Sequence, residues 1–379
     1  MKIGKFFALG AILFFTLLAV PSLNVAPTTE PVVSKRTPIS VACVFATGGL
    51  GDQSFNDMAK AGLDKAQADG LCTFVYSEPD QISEYDGLLQ NYASNGTYDL
   101  IVSIGFDQAT AVNTTAIAYP SQKIVLIDMV VFQGSVRSVV FNAAEGSMLV
   151  GAMASLMTAT GKVGFVGGMD IPLIREFWAG YKAGVIYENE KVQVVESFVG
   201  DWGDPATGKS KAQAMYADGA DIIFVAAGSS GLGALEAASE AADRYAIGVD
   251  ADQDHIYPGH ILCSMMKRVD IGVYKAIEDV VNGAWTSTIV AYGLADNGVG
   301  ISPLLHTRSL IGEANIQEVN VTLRNKIING EITVPTNETL LEAWVSSMGY
   351  NTTVVTPGFG LILVFGGLAA IPILLRRRK

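Results

Sequence analysis

Side chains that can bind a polar, ring-containing molecule recur in this 379-residue chain where apolar, strand-like runs end. A glycine-rich turn follows the first run and leads to Ser54, Phe55 and Asn56; Ser54 is placed to cap the next helix, with Asp57 at its third position. Later runs end near further candidates, namely Asp107, Asp128, Phe177, Trp178, Gly228, Asp250 and Lys267. Aromatic faces can sandwich a flat ring, and carboxylates and amides can bond several sugar hydroxyls. The pattern predicts a binding site for a small solute.

The elements that must position these side chains follow a regular alternation. Short apolar strands alternate with helical patterns, which is typical of βαβ units in a parallel sheet covered on both faces. The predicted strands are 40–47, 72–77, 100–106 and 123–129, then 162–167, 192–199, 221–227, 245–250 and 261–266. In open parallel sheets, ligands bind beyond the carboxyl ends of the strands. We therefore expect an α/β protein with two doubly wound parallel-sheet lobes and a ligand cleft between them.

The same alternation predicts the extent of each lobe. We expect an N-terminal lobe over residues 39–142, completed by part of 286–332, and a C-terminal lobe over 143–285. Residues 333–357 are polar, and we interpret them as a glycosylatable spacer that holds the lobes off a membrane.

The N-terminal residues 1–25 are typical of a secretory signal peptide. Lys2 and Lys5 precede an apolar run from Phe6 to Val20, which is shorter than the roughly 20 residues of a spanning helix. An uncleaved N-terminal anchor is the alternative, since no A-x-A cleavage site is evident.

The C-terminal residues favour attachment to a membrane from outside the cell. Residues 358–375 are apolar or Gly/Pro over about the length of a bilayer core, and the basic tail 376–379 should stay in the cytoplasm. Pro357, Gly358 and Phe359 before that run resemble the PGF-CTERM sorting signal of archaeal surface proteins, in which the tail is removed and replaced by a lipid. Export also agrees with five N-glycosylation sequons, at Asn95, Asn113, Asn320, Asn337 and Asn351.

Composition argues against several classes of function. A net charge of −12 and a pI near 4.7 disfavour a nucleic-acid partner. Three cysteines and three histidines show no metal-ligand spacing, and we predict no metal and no cofactor. The loop at 49–51 lacks the third glycine of a dinucleotide fingerprint, and no nucleophile–base set is evident. We therefore predict that the protein is not an enzyme, and an exported α/β enzyme remains the weaker alternative.

Four segments carry a resemblance to a known family. Residues 49–56, 163–172, 179–184 and 246–253 resemble the signature segments of the basic membrane protein (Bmp, PnrA-like) family, in order along 41–283. The resemblance implies a type I periplasmic-binding-protein fold, and a substrate-binding protein that delivers purine nucleosides to the permease and ATPase of an ABC importer. A lipid-accepting cysteine after the N-terminal apolar run, common in such proteins, is not present.

The resemblance also implies roles for the candidate residues. Phe55 and Phe177 would stack on the purine from opposite lobes, although Trp178 beside Phe177 leaves open which ring stacks. Asn56 and Asp107 would bond the base, whereas Gly228, Asp250 and Lys267 would hold the ribose; Lys267 would also neutralise Asp250, and Asp128 is a further candidate. The alternatives keep the fold but bind a free sugar or another small solute, or sense the ligand without transporting it.

Overall fold

The structure is a computed structural model that describes residues 37–349. The predicted signal peptide, the C-terminal apolar run with its sorting motif and basic tail, and Asn351 lie outside these residues. Within 37–349, no helix combines the length and apolar character needed to cross a membrane.

Twelve strands are assigned within the described residues. In chain order they are β1 (Ile39–Val44), β2 (Cys72–Ser77), β3 (Leu100–Ile104), β4 (Ile124–Ile127), β5 (Val136–Phe141), β6 (Lys162–Gly167), β7 (Gln193–Phe198), β8 (Ile222–Ala226), β9 (Tyr245–Asp250), β10 (Ile261–Lys267), β11 (Ile289–Tyr292) and β12 (Val299–Ile301).

The α-helices connect and cover these strands. In chain order they are α1 (Phe55–Ala68), α2 (Tyr85–Asn95), α3 (Ala109–Ala118), α4 (Ala143–Met157), α5 (Pro172–Glu188), α6 (Pro205–Ala217), α7 (Ser229–Ala238), α8 (Val269–Val281), α9 (Arg308–Ile311), α10 (Glu313–Gln317), α11 (Arg324–Ile328) and α12 (Glu338–Ser347). A π-helical stretch, Glu318–Leu323, joins α10 to α11.

The strands form two six-stranded sheets, one in each lobe. The first has the order β11-β5-β4-β3-β1-β2 and is parallel throughout. The second has the order β12-β10-β9-β8-β6-β7 and is parallel except for β12, which runs antiparallel to β10. Strands β3, β4 and β8 are buried along their whole length, as continuous apolar runs require. The predicted pair of parallel-sheet lobes is confirmed.

Strand β5 was not predicted because a charged residue interrupts its apolar pattern. Arg137 is buried in β5, where its Nη1 forms a 2.7 Å ion pair with Asp279 and its Nε donates to the Thr286 carbonyl. Its guanidinium also lies 4.5 Å from the centre of the Trp285 ring. These partners come about 140 residues later in the chain, so local pattern could not show that the arginine would be compensated inside a sheet.

The C-terminal lobe predicted over 143–285 includes a helix that the structure places in the first lobe. Helix α8, assigned to the C-terminal lobe 143–285, packs on α1 and on strands of the first sheet. Part of 286–332 completes the first lobe through β11, as predicted; β12 joins the second sheet, and the helical segment 313–323 packs on α4. An amphipathic helix fits either sheet equally well, so its location depends on where the chain crosses between lobes.

The predicted polar spacer is also wrong for the part that the structure describes. Helix α12 lies within residues 333–349 and packs on α5 of the second lobe. Leu341 and Val345, four residues apart on one face, are fully buried, and the Asn337 side chain caps the helix by accepting from Leu340 N at 2.9 Å.

Candidate functional site: a cleft between two lobes

A cleft between the lobes brings together the carboxyl ends of strands from both sheets. Its empty space is about 670 Å³, counting the part open to solvent. All the predicted ligand-binding residues except Trp178 line it. The first lobe contributes Phe55, Asn56, Asp107 and Asp128, and the second contributes Phe177, Gly228, Asp250 and Lys267.

The loop that carries Phe55 is organised by Asp52 rather than by Ser54. The carboxylate of Asp52 accepts from the backbone N–H groups of Ser54, Asn56 and Asp57 at 2.8–3.1 Å. Ser54 makes no side-chain cap to α1, contrary to the sequence prediction. Burial raises the pKa of Asp52 to about 6, and the three N–H donors oppose that rise. The buried carboxylate therefore fixes the loop at the cleft.

The sequence left open whether Phe177 or Trp178 could stack on a ligand. In the structure Phe177 lies in the cleft and Trp178 does not. Phe177 lines the cleft, and the Lys267 ammonium lies 5.6 Å from its ring centre and 4.9 Å from that of Phe55. Successive helical residues point about 100° apart. Trp178 is therefore buried behind the cleft, where the Lys182 ammonium lies 4.6 Å from its ring centre.

Trp202 lines the cleft and was missed in the sequence. It follows β7 in the second lobe and meets Phe106 of the first lobe edge-on, with ring centres 6.5 Å apart. A β-carbon on Gly168 would lie 2.3 Å from the Trp202 ring, so this glycine makes room for the indole. Trp202 obeys the rule used for the other candidates, since it comes four residues after its strand ends.

Asn56 lines the cleft, but its amide already has partners. Its Oδ1 accepts from Ala46 N at 3.0 Å, and its Nδ2 donates to the Gly49 carbonyl at 3.0 Å. In this structure Asn56 holds the glycine-rich turn in shape.

Asp107 lines the cleft, with one carboxylate oxygen bonded and the other buried. Its Oδ2 accepts from the Tyr85 hydroxyl at 3.1 Å, and that hydroxyl in turn accepts from Thr47 N at 2.9 Å. Its Oδ1 is buried and has no hydrogen-bond partner among the described residues. Burial raises the pKa of Asp107, and the bond from Tyr85 opposes that rise. A ligand N–H or O–H donor would satisfy Oδ1.

The resemblance implied that Lys267 pairs with Asp250, but in the structure it pairs with Asp128. Both members of the Lys267–Asp128 ion pair are almost fully buried. Asp250 instead accepts from the Ser54 hydroxyl through Oδ2 at 2.6 Å. Burial raises the pKa of Asp250, and the nearby Lys267 charge and the Ser54 bond oppose that rise. Gly228 stands at the start of α7 with a φ of +55°, a conformation that favours glycine.

The charge balance of the cleft is acidic. Four aspartates line it against one ammonium group, Lys267, among the described residues, and that group is paired. No cluster of potential metal ligands is found within residues 37–349. The site can hold a flat, polar and uncharged molecule, and it is poorly suited to an anion.

Two α/β lobes that enclose a polar, aromatic cleft at the ends of their strands define a two-lobed solute-binding protein. The chain matches the family model described as ABC transporter substrate-binding protein PnrA-like over residues 39–338, and it belongs to that family. Its fold and family are thus those of the solute-binding proteins of ABC transporters, and the family resemblance predicted from the four sequence segments is confirmed.

Individual proteins from archaea and bacteria agree with this membership. An uncharacterized lipoprotein of Pyrococcus abyssi is 35% identical over 278 residues, which cover 69% of this chain and 68% of that protein. Basic membrane protein D of Borreliella burgdorferi is 33% identical over 323 residues, covering 83% and 93%. A crystal structure of an ABC transporter system solute-binding protein from Aeropyrum pernix is similar with a TM-score of 0.74 at 32% identity, covering 82% and 98%.

Proposed function

We propose that the protein binds a purine nucleoside between its lobes and delivers it to an ABC permease and its ATPase. The observation that carries this proposal is the joint presence in one cleft of aromatic rings, an unsatisfied carboxylate oxygen and a second buried aspartate. A purine offers flat apolar faces and N–H donors at its edge, and a ribose offers hydroxyl donors.

The aromatic side chains would hold the base. Phe55 comes from the first lobe, and Phe177 and Trp202 come from the second, so a base could be enclosed by rings from both sides of the cleft. Stacking of this kind contributes about 1–3 kcal/mol for each base.

The polar side chains would read the edge of the base and the sugar. Asp107 Oδ1 would accept from the base, and Asn56 would contribute only by exchanging one of its loop bonds. Because Ser54 occupies Asp250 Oδ2, the ribose hydroxyls would be accepted by Oδ1, beside the Lys267 ammonium and the Gly228 backbone. Asp128 would act indirectly, by orienting Lys267.

Calorimetry on the purified 37–349 body, with inosine, adenosine, guanosine, free bases and ribose, tests this proposal. We expect the nucleosides to bind, and we expect Phe177→Ala and Trp202→Ala each to weaken inosine binding by about 1–3 kcal/mol. Trp178→Phe is the matched control, because Trp178 is buried outside the cleft. If ribose binds as tightly as inosine, the free-sugar alternative replaces the nucleoside. Release of free base during the incubation would instead favour an exported enzyme.

We further propose that the body is held at the outer face of the cell membrane. This rests on the sequence of residues 1–25 and 358–379 and on relatives named lipoprotein and basic membrane protein. Intact mass of the protein from its native host should show loss of the N-terminal segment and either retention of the C-terminal run or its replacement by a lipid. A cytoplasmic species with both termini intact would contradict it.

A further inference from the structure

The turn of the first lobe that precedes α1 reaches across the cleft and bonds to the second lobe. The Ser54 hydroxyl donates to Asp250 Oδ2 at 2.6 Å and lies 3.4 Å from the Val249 carbonyl. One residue earlier, the Gln53 carbonyl accepts from Gln253 Nε2 at 3.0 Å. Ser54 and Gln253 are both almost fully buried, so water does not compete for these bonds.

The first-lobe half of this contact is fixed within its own lobe. Asp52 Oδ1 accepts from Ser54 N at 2.9 Å, and Asp57 Oδ2 accepts from Gln53 N at 2.9 Å. Gln53 has a φ of +50°, in the left-handed region that non-glycine residues rarely adopt. Two carboxylates thus hold a strained backbone in the one conformation that presents the Gln53 carbonyl and the Ser54 hydroxyl to the other lobe.

The second-lobe half is equally well held. Gln253 Oε1 accepts from Val249 N at 2.9 Å, and Gln253 N donates to Ser264 Oγ at 3.0 Å. Asp250 has a φ of +63°, which turns its carboxylate toward Ser54. Both halves of the contact are thus held by bonds within their own lobes, so closing the lobes should order little that was free.

We propose that Ser54 and Gln253 form an inter-lobe latch that holds the cleft closed around its solute and thereby sets how long the solute stays bound. The latch rests on the proposed function, since it acts on the same cleft, but it is independent of which solute enters. Opening the lobes breaks both bonds at once and leaves the Asp250 carboxylate without its hydroxyl donor. Ser54 acts through Asp250 and through lobe closure, so it is a positioning residue and not a ligand contact.

Stopped-flow measurement of inosine dissociation tests the latch. We expect Ser54→Ala to raise the dissociation rate about tenfold, the usual effect of losing one hydrogen bond to a charged group, with little change in the association rate. Gln253→Met removes the second bond, together with the bond that Gln253 Oε1 accepts from Val249 N, and should act in the same direction. Ser77→Ala is the control, because that hydroxyl bonds to Tyr92 wholly inside the first lobe.

A distance measurement without ligand separates failure of the latch from failure of the proposed function. Spin labels on cysteines introduced at the exposed positions Asn91 and Ala214, one in each lobe, report lobe separation. Ser54→Ala should shift the ligand-free distribution toward longer distances, and Ser77→Ala should not. If inosine does not bind, the nucleoside proposal fails while these distances still test the latch. If Ser54→Ala changes neither the distances nor the dissociation rate, the latch is wrong, whatever its effect on melting temperature.

Discussion

At the residue scale, the cleft depends on non-glycine residues in unusual backbone conformations. Asp128 directly follows β4 of the first sheet, and Asp250 is the last residue of β9 in the second sheet. Their φ angles are +72° and +63°. Such angles cost energy in any residue with a β-carbon, and they recur at functional sites where they aim a side chain. Here they turn two carboxylates toward Lys267 and Ser54, across the boundary between lobes. The strain is therefore linked to the site and not to a turn on the surface.

The Oδ1 atom of Asp107, which has no hydrogen-bond partner among the described residues, leads to a prediction about ligand selectivity. Asp107→Asn should weaken binding of inosine and adenosine by about 1.5–3 kcal/mol, because a carboxylate acceptor for a base N–H is replaced by an amide. Purine riboside has no N–H donor on its six-membered ring and should lose much less. Calorimetry with these ligands on both proteins makes the comparison. Equal losses for all three ligands would mean that Asp107 supports the loop through Tyr85 and does not read the base.

The raised pKa of Asp52 leads us to predict that the stability of the protein depends on pH. Its pKa is about 6 in the folded protein against an ordinary value of 3.8, so between these values the folded state binds more protons than the unfolded state. Protonation then favours folding, and the contribution of Asp52 to stability should rise by about 1 kcal/mol as the pH falls from 7 to 5.

Urea unfolding of the wild type and of Asp52→Asn at both pH values measures this contribution. The change in unfolding free energy between pH 7 and pH 5 should be more favourable in the wild type by about 1 kcal/mol, since the variant has no carboxyl to protonate. The same pH dependence in both proteins would show that Asp52 titrates near its ordinary value.

At the scale of the elements, α8 belongs to the first lobe because it packs closely on α1. Helix α8 follows a second-lobe strand in the chain, yet it lies on α1. The crossing is close because Gly62 has no side chain: a β-carbon there would lie 2.5 Å from the Asp270 carbonyl oxygen. Asp270 itself bonds Arg268, at the point where the chain enters the first lobe.

A pair of glycine substitutions checks this packing. Gly62→Ala should destabilise the protein by more than 1 kcal/mol, because the added methyl meets backbone that cannot move without shifting α8. Gly87→Ala, in α2 with open space around it, should instead stabilise by about 0.5–1 kcal/mol through helix propensity. Chemical denaturation gives both values. A neutral or stabilising Gly62→Ala would contradict the close α1–α8 contact.

Helix α12 allows a similar test with neighbouring residues. Leu341 is fully buried against the second lobe, whereas Leu340 is 49% exposed. Leu341→Ala should cost about 2–4 kcal/mol of unfolding free energy, and Leu340→Ala should change it by less than about 0.5 kcal/mol. If both substitutions were neutral, residues 338–347 would be the undocked spacer that the sequence had suggested.

At the scale of the whole molecule, the charge of the chain bears on which solutes can bind. The chain carries a net charge of −12. The described residues that line the cleft also have an excess of negative charge, with four aspartates and one lysine. Both the long-range field and the local side chains therefore oppose a phosphate group.

We accordingly expect inosine 5′-monophosphate to bind at least about 100-fold more weakly than inosine, since no unpaired cation among the described cleft residues can compensate its charge. 5′-O-acetylinosine is the neutral control for size. Competition calorimetry gives the ratio for each. If the acetyl compound is excluded as strongly as the phosphate, the discrimination is steric and not electrostatic.

The sequence by itself determined the βα alternation, the two parallel-sheet lobes, the family and eight of the residues that line the cleft. Each of these depends on short-range pattern, because parallel buried strands are continuous apolar runs and their ligand-binding residues directly follow them. Phe55, Asp107, Asp250 and Lys267 were found in this way, and Trp202 could have been.

The tertiary structure alone decided which side chains pair across the lobes. Lys267 bonds Asp128 and not Asp250, Ser54 bonds Asp250 and not its own helix, and Phe177 and not Trp178 faces the cleft. These partners are separated by more than 100 residues or differ only in helical phase. The lobe positions of α8 and α12 were decided in the same way. Local pattern shows that a face is apolar, but only the path of the chain between the lobes selects the surface that covers it.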